Sequence, residues 1–555
     1  MKIKSVSRVS ILFLLLNLVS VPAVLAQISL GGIPLSFSFS IPPDGDQPVS
    51  IPPPAIENLL IEDMSGSLPY RYAVNLPVDI GISNSGKWIT VPGGLVIWRV
   101  TLKSIGARAL TLYFDDFRLP EEGRLFVYNP KRTNVIGAFT SVNNNEMNSF
   151  ATELISGDQL TIEYDAPSAG APLPDLHISE IAFAYRGFGE PAKGGLDFGQ
   201  AGHCEVNINC PEGTNWQTQK KGVTRISVKQ GNASYWCSGS LINNVRNDRK
   251  PYLLTADHCG QNTTAFDISR WIFYFNYETT DCENPILEPF SKSITGASLV
   301  AHGGNGGDTG SDFFLVLLKN NIPSSFNAYF NGWSREVTPS PSGSGIHHPE
   351  GDIKKISTYT TPLQSSSWSG HPFLSHWRVV WTGTSNGHGV TEPGSSGSPI
   401  FDNSGHIVGT LTGGDSSCDT AKLNEPDYYG KFSYHWDQNG TDSASVLKYW
   451  LDPDNTNTMV LNGLYVSVEE VTGKSALNVF PNPFSDRLTI NGFSISGGWS
   501  LTIIDLLGNE VFHQKYTNMT QYSVTIDVGN ISPGLYFLKV GNNREFHTIK
   551  IIKHS

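Results

Sequence analysis

The run Thr391-Glu392-Pro393-Gly394-Ser395-Ser396-Gly397-Ser398-Pro399, followed by Ile400-Phe401, sets one serine between glycines. Glycine on both sides lets the backbone turn sharply, so the serine hydroxyl is presented in a cleft with backbone N–H groups pointing the same way. Ser396 is therefore a candidate nucleophile. Alone, the run reads equally as a Gly/Ser turn, and its meaning depends on what the rest of the chain supplies.

A serine nucleophile needs a base to take its proton and a third group to orient that base. Thr255-Ala256-Asp257-His258-Cys259-Gly260 sets a histidine just after an apolar run and just before a cysteine. Gly310-Ser311-Asp312 opens the apolar run Phe313 to Leu318, where a carboxylate can be half-buried against an imidazole. Singly, His258 is a structural histidine and Asp312 a strand-start cap. Together with Ser396 they follow the order His, Asp, Ser inside one cysteine-bearing region.

Composition is consistent with such a site. With 555 residues the chain exceeds one core, and about three or four domains are expected. Gly 55 and Pro 34, with many Ser, Thr, Asn and aromatic residues, favour short strands and turns, so the class is mostly β. The formal charge of −12 and the lack of a long basic run exclude a phosphate-tracking surface, and nucleic acid is not an expected partner. Lys2, Lys4 and Arg8 precede an apolar stretch from Val9 to Val24, then Val24-Leu25-Ala26. This is a secretory signal peptide pattern with cleavage expected after Ala26. Its core, broken by Asn17 and Pro22, is short for a membrane anchor, so no transmembrane anchor is expected in the mature protein.

Six cysteines, Cys204, Cys210, Cys237, Cys259, Cys282 and Cys418, all lie mid-chain. An even number in an exported chain points to three disulfides, whose pairing spacing alone does not choose. No pair has CxxC spacing, so neither metal nor cofactor is expected.

The chain divides into a signal peptide (1–26), an extended, partly flexible Pro-rich leader (27–65), an N-terminal β-sandwich (66–193), the cysteine-bearing domain (194–466), a linker (467–474) and a small C-terminal β-sandwich (475–555). Strands are expected at Leu95 to Leu102, Leu110 to Phe114, Arg124 to Tyr128, Gln159 to Tyr164 and Ile178 to Tyr185. In the central domain they are expected at Tyr252 to Thr255, Trp271 to Phe275, Phe313 to Leu318 and Ile407 to Leu411, with a helix over Ser443 to Leu451. Two barrels or a sandwich would fit this central pattern.

At LTADHC, SDFFLVLL and PGSSGSP the chain resembles the chymotrypsin-type serine peptidases. The resemblance implies a two-barrel domain with His258 as general base, Asp312 as its orienter, Ser396 as nucleophile, and the N–H groups of Gly394 and Ser396 as oxyanion hole. More narrowly, CEVNINCPEG, WCSGSLINN, NDRKPYLLTADHCG, GIHHPEGDIKKIS, GVTEPGSSGSPIFD, GGDSSC, PDYYGKF and YWLDP resemble the bacterial lysyl endopeptidases. That implies protein or peptide substrates cut after lysine and the disulfides Cys204–Cys418, Cys210–Cys282 and Cys237–Cys259. It also implies that Asp427, in PDYYG, reads the lysine, because Val390 stands where trypsin-like enzymes carry the reading carboxylate. Trp368 resembles the family tryptophan lining the cleft, whereas Thr412 stands where the family has a histidine.

Ser395 occupies the place where trypsin relatives carry an aspartate that pairs with a freed N-terminus. Activation is therefore expected by removal of the 66–193 region as a pro-domain, cut near Lys193-Gly194. The tail, with VFPNPFSDRLTI, IIDLLGNEV, ISPGLYFLKV and KIIK, resembles type IX secretion sorting domains, which implies the type IX machinery as a partner and a secreted or cell-surface destination. Three other readings are a trypsin-type peptidase accepting arginine equally, a surface adhesin with an inactive peptidase-like domain, and a carbohydrate-binding or adhesive tail.

Overall fold

The structure is a computed structural model that describes residues 29–41, 47–65, 69–168, 170–186, 200–285, 288–289, 291–304, 309–368, 372–466, 478–491, 499–505, 509–516, 523–541 and 546–554. The expected signal peptide with Ala26, the Lys193 processing bond and the 467–474 linker lie outside the described residues. The chain is mostly β and forms two compact units, residues 1–466 and 467–555.

In the first unit, Val96–Lys103, Gln159–Asp165, Arg124–Tyr128 and Val135–Phe139 make one sheet. Tyr70–Gly81, Asp175–Ala184 and Ala109–Arg118 face it as a second layer. Inward side chains such as Trp98, Leu112, Phe114, Ile162 and Phe183 are buried between them. The second layer does not stop at the sandwich. Tyr70–Gly81 also pairs with Ala233–Leu241, in register Val74 to Ala233 and Tyr70 to Trp236, so one sheet runs on into the cysteine-bearing region.

That region has two barrel-like sheets. The first takes Val223–Gln230, Ala233–Leu241, Tyr252–Thr255, Ile272–Phe275, Lys292–Thr295, Ala297–Gly303 and Phe313–Leu318. Phe313–Leu318 is hydrogen-bonded on both sides, to Tyr252–Thr255 and Ala297–Gly303, which is why its sequence is continuously apolar. The second contains Gly343–His347, Lys355–Tyr359, His376–Val379, Pro399–Asp402, Ile407–Gly414 and Asp427–Lys431.

Two expectations need correction. The 27–65 leader is not merely extended: Ile56–Ser65 is a helix, entered after Pro52-Pro53-Pro54 and with Glu57 in its first turn, where an acid favours the exposed N–H groups. Conversely the helix expected over Ser443 to Leu451 is only the turn Lys448–Leu451, because Asp442 caps a tight turn through Ala444 N–H and Ser445 Oγ.

The second unit packs a three-stranded sheet (Asn478–Phe480, Arg487–Asn491, Ser523–Asp527) and a four-stranded sheet (Trp499–Ile504, Glu510–Tyr516, Gly534–Gly541, Phe546–Lys553) around Phe484, Leu488, Leu501, Ile526, Leu538 and Ile551. The last lysine of KIIK is buried here. Lys553 Nζ donates to the carbonyls of Ser485, Val528 and Gly529, which satisfies its three protons.

The three disulfides are Cys204–Cys418, Cys210–Cys282 and Cys237–Cys259. The third, between residues 22 apart in sequence, ties strand Ala233–Leu241 to the short helix Asp257–Gly260 that follows strand Tyr252–Thr255. Replacing both cysteines by serine should cost about 3 kcal/mol, read as a lower midpoint in urea denaturation.

Candidate functional site

Thr255 pairs with Phe314, so the ends of two neighbouring antiparallel strands bring His258 and Asp312 together. His258 follows in the short helix Asp257–Gly260, and Asp312 has a left-handed backbone (φ 60) unusual for a non-glycine residue. His258 Nδ1 lies 2.8 Å from Asp312 Oδ2, and the His258 N–H donates to Asp312 Oδ1 at 2.9 Å. Asp312 is fully buried. Burial alone would raise its pKa, but the charge and hydrogen bonds of His258, with a further bond from Thr412, hold it down at about 2. For His258 burial lowers the pKa, while the Asp312 charge and hydrogen bond outweigh it and raise the value above 6.5. With Nδ1–H given to the carboxylate, Nε2 is the free base position. Asp257, adjacent in sequence, is engaged elsewhere, 2.9 Å from His302 Nδ1.

The Ser396 turn is spliced between the two sheets. The Ser396 carbonyl accepts from Ser238 N–H at 2.8 Å, and Gly397 N–H donates to Leu411 O at 2.9 Å. Cys259 Sγ lies 3.8 Å from the Ser396 carbonyl oxygen, so the disulfide ties the His258 turn against the serine. Ser396 is half-buried, and its Oγ makes no hydrogen bond to His258 among the described contacts. Gly394 and Gly397 both have positive φ (97 and 78). Neither Gly394 N–H nor Ser396 N–H has an acceptor among the described residues.

Asp427 begins a strand beside Gly414 and is fully buried. Its Oδ2 accepts from Trp381 Nε1 (2.6 Å), Thr391 Oγ1 (2.8 Å) and Ser416 Oγ (2.6 Å), while Oδ1 accepts only a longer bond from Ser416 N–H (3.3 Å). A Cβ on Gly414 would lie 2.0 Å from Oδ1, so glycine there keeps that oxygen clear. Val390 is buried and carries no charge to this place. Trp368 sits with its ring 5.0 Å from Tyr428 and beside Gly413, at the edge of the same strands. Thr412 Oγ1 lies 3.0 Å from His376 Nε2 as well as bonding Asp312. Sequence reasoning did not find Trp381, Thr391, Ser416 or His376; each is a single polar or aromatic residue on a separate element, with no spacing to mark it. Among the described residues no group of three or more His, Cys, Asp and Glu side chains is placed to hold a metal ion.

Residues 198–430 match the family model of the lysyl endopeptidase C-terminal domain, and residues 478–554 match that of the secretion system C-terminal sorting domain. Over that first stretch the chain is similar to the lysyl endopeptidases. A lysyl endopeptidase of Pseudomonas aeruginosa is 28% identical over 368 residues, 62% of this chain and 75% of that protein. Among solved structures, the protease Anisep from Arthrobacter nicotinovorans is 16% identical with a TM-score of 0.27, over 38% of this chain and 90% of its own. A thermostable serine protease from an extremophilic microorganism is 13% identical with a TM-score of 0.28, over 39% and 92%. At those scores the two structures add no weight. The two matched stretches fall on separate compact units.

Burial pushes the Asp427 carboxyl up to about 6 from 3.8. Its contribution to stability is therefore full below 3.8 and is lost as pH rises through about 6. Asp427→Asn removes that dependence. Calorimetry from pH 4 to 7 should show the wild type losing up to about 3 kcal/mol relative to the variant.

Proposed function

We propose that the chain is a secreted or cell-surface serine endopeptidase that cuts peptide bonds after lysine through His258, Asp312 and Ser396. The observation that carries the reading is the double hydrogen bond from His258 to a fully buried Asp312, beside a serine turn whose two neighbouring N–H groups are unengaged.

Ser396 Oγ attacks the scissile carbonyl carbon while His258 Nε2 takes its proton. Asp312, ionised at any working pH, holds the other ring proton and stabilises the imidazolium. The oxyanion accepts from the Gly394 and Ser396 N–H groups. His258 returns the proton to the leaving amine, and water then cleaves the acyl-enzyme by the same route.

Lysine is favoured over arginine by the shape of the carboxylate's remaining capacity. Three donors occupy Asp427 Oδ2, whereas Oδ1 accepts one long bond from Ser416 N–H and keeps capacity for a substrate donor. One ammonium fits one oxygen, whereas a guanidinium fork wants both. Trp368 would line the cleft beside it. The 66–193 region serves as a pro-domain cut near Lys193, a bond matching the enzyme's own preference, and the tail engages the type IX secretion machinery.

A serine-reactive phosphonate should label the mature protein and fail to label Ser396→Ala; labelling that survives the change defeats the reading. In mass spectrometry of peptides cut from a defined protein, the wild type should cleave after lysine. Asp427→Asn should lose at least about 100-fold in that activity, and Ser416→Ala, which releases a lone pair of Oδ2, should raise arginine cleavage relative to lysine. Equal cutting by the wild type at both residues would rule out lysine selectivity.

The base must be neutral, so kcat/KM should rise with pH through a midpoint above 6.5. Asp312→Asn should lower kcat by about 10⁴-fold.

A further inference from the structure

Behind the serine turn a chain of hydrogen bonds leaves the turn and returns to it. Glu392 N–H donates to Ser395 Oγ at 3.2 Å, and Ser395 Oγ lies 2.8 Å from His347 Nδ1. His347 Nε2 lies 3.0 Å from Ser357 Oγ, whose proton goes to Val390 O at 2.7 Å. His347, Ser357 and Ser395 are all fully buried.

The directions follow by elimination. Ser357 has one proton and gives it to Val390 O, so it must accept from His347 Nε2–H. A neutral ring protonated at Nε2 has a bare Nδ1, which accepts the Ser395 proton. The Ser395 oxygen then takes the Glu392 N–H. Each donor and acceptor is used once. A doubly protonated ring would instead point Nδ1–H at Ser395 and leave that hydroxyl proton without an acceptor in the circuit.

We propose that His347 is a positioning residue: it locks residues 390–395 in the shape that presents the Gly394 and Ser396 N–H groups, a task that an ion pair with a freed N-terminus would otherwise perform. Formation of the oxyanion site then does not wait on scission of the chain. This rests on the reading of Ser396 as nucleophile.

Among the described residues the ionisable groups near the ring include Glu205, Lys355 and His348, the last of which burial holds well below 6.5 and therefore neutral. Glu205 Oε2 lies 4.0 Å from Nε2, and burial, then the Glu392 charge, pushes its carboxyl well up, toward the neutral acid. Burial, followed by the Lys355 charge, pulls His347 down to about 3. Both effects keep the imidazole neutral.

Long-range proton–nitrogen spectra of histidine-labelled protein, with the signal assigned by its loss in His347→Phe, should show an Nε2-protonated ring with bare Nδ1, unchanged from pH 5 to 8. An Nδ1-protonated or titrating ring overturns the proposal without requiring a folded variant. Folded His347→Phe and Ser395→Ala should lose about 100-fold in kcat/KM while the inhibition constant of a primary alkylamine stays within about threefold. His347→Gln, which keeps one acceptor and one donor, should recover part of the loss. Undiminished kcat/KM in folded His347→Phe overturns the proposal.

A Lys193→Ala chain, verified as uncut by intact mass, should react with a small phosphonate as the mature protein does. An unlabelled uncut chain beside a labelled mature one counts against the latch alone. Failure of both to label counts against the Ser396 reading and the latch with it.

Discussion

At Gly397 three segments of chain meet with no room for a side chain. A Cβ there would lie 2.1 Å from Thr255 Oγ1 and 2.6 Å from Ala256 N, the residues that lead into His258, and 2.7 Å from Ser238 O. Its N–H is bonded to Leu411 of the second barrel-like sheet, while the carbonyl before it is bonded to Ser238 of the first. The serine is therefore positioned by backbone contact with both sheets at once, and the Cys237–Cys259 bridge ties the Ser238 strand to the short helix that carries His258. Gly394 is confined in a similar way, its absent Cβ pointing at Glu350 N, Gly351 N and His348 O, each at 3.0 Å. The glycines that first marked the run as a turn are the reason the two halves can approach.

The site then sets two fully buried carboxylates to opposite purposes. Asp312 receives two bonds from His258 and one from Thr412, and is held at about 2. Asp427 also receives several bonds, but all from neutral donors, and burial prevails at about 6. The difference lies in the cation: His258 can become charged beside Asp312, whereas Asp427 has no positive partner among the groups that bond it. A carboxylate left in that condition gains most from an incoming ammonium. Thr412, which stands where the resemblance places a histidine, lies with Oγ1 3.0 Å from His376 Nε2 and adds to the bonds that hold Asp312 low.

How much of this was legible depended on the range of the interaction. Tyr252–Thr255, Phe313–Leu318 and Arg124–Tyr128 were found to the residue, because burial on both faces writes itself into adjacent positions as a continuous apolar run. The meeting of His258 with Asp312 was foreseeable from motifs at the ends of such runs. The pairing of Tyr70–Gly81 with Ala233–Leu241 was not, since register between strands more than 150 residues apart leaves no local pattern. Nor were Ser416, Trp381 and Thr391 around Asp427, or His376 behind Thr412, which acquire their roles only when separate elements converge.

That long-range pairing bears on how a pro-domain could leave. Tyr72 stacks on Trp236 at 4.0 Å and its hydroxyl bonds Ser227, while Tyr113 bonds Ser234. Glu180 faces Lys229 and Arg270, both nearly fully buried beneath it. Lys229 and Arg270 also share Asp267, so loss of Glu180 would not strand them without any carboxylate. It would nevertheless expose their charged heads, the face of Trp236 and an open strand edge at Ala233 to Trp236. Each of these contacts across the pairing joins a residue between Tyr72 and Glu180 to one between Ser227 and Arg270. In the proposed removal of the 66–193 region, cutting the chain after Arg186 would remove a covalent tether and leave the ladder, the stacked rings and the ion pairs in place, so scission and release would be separate steps with separate energetic costs.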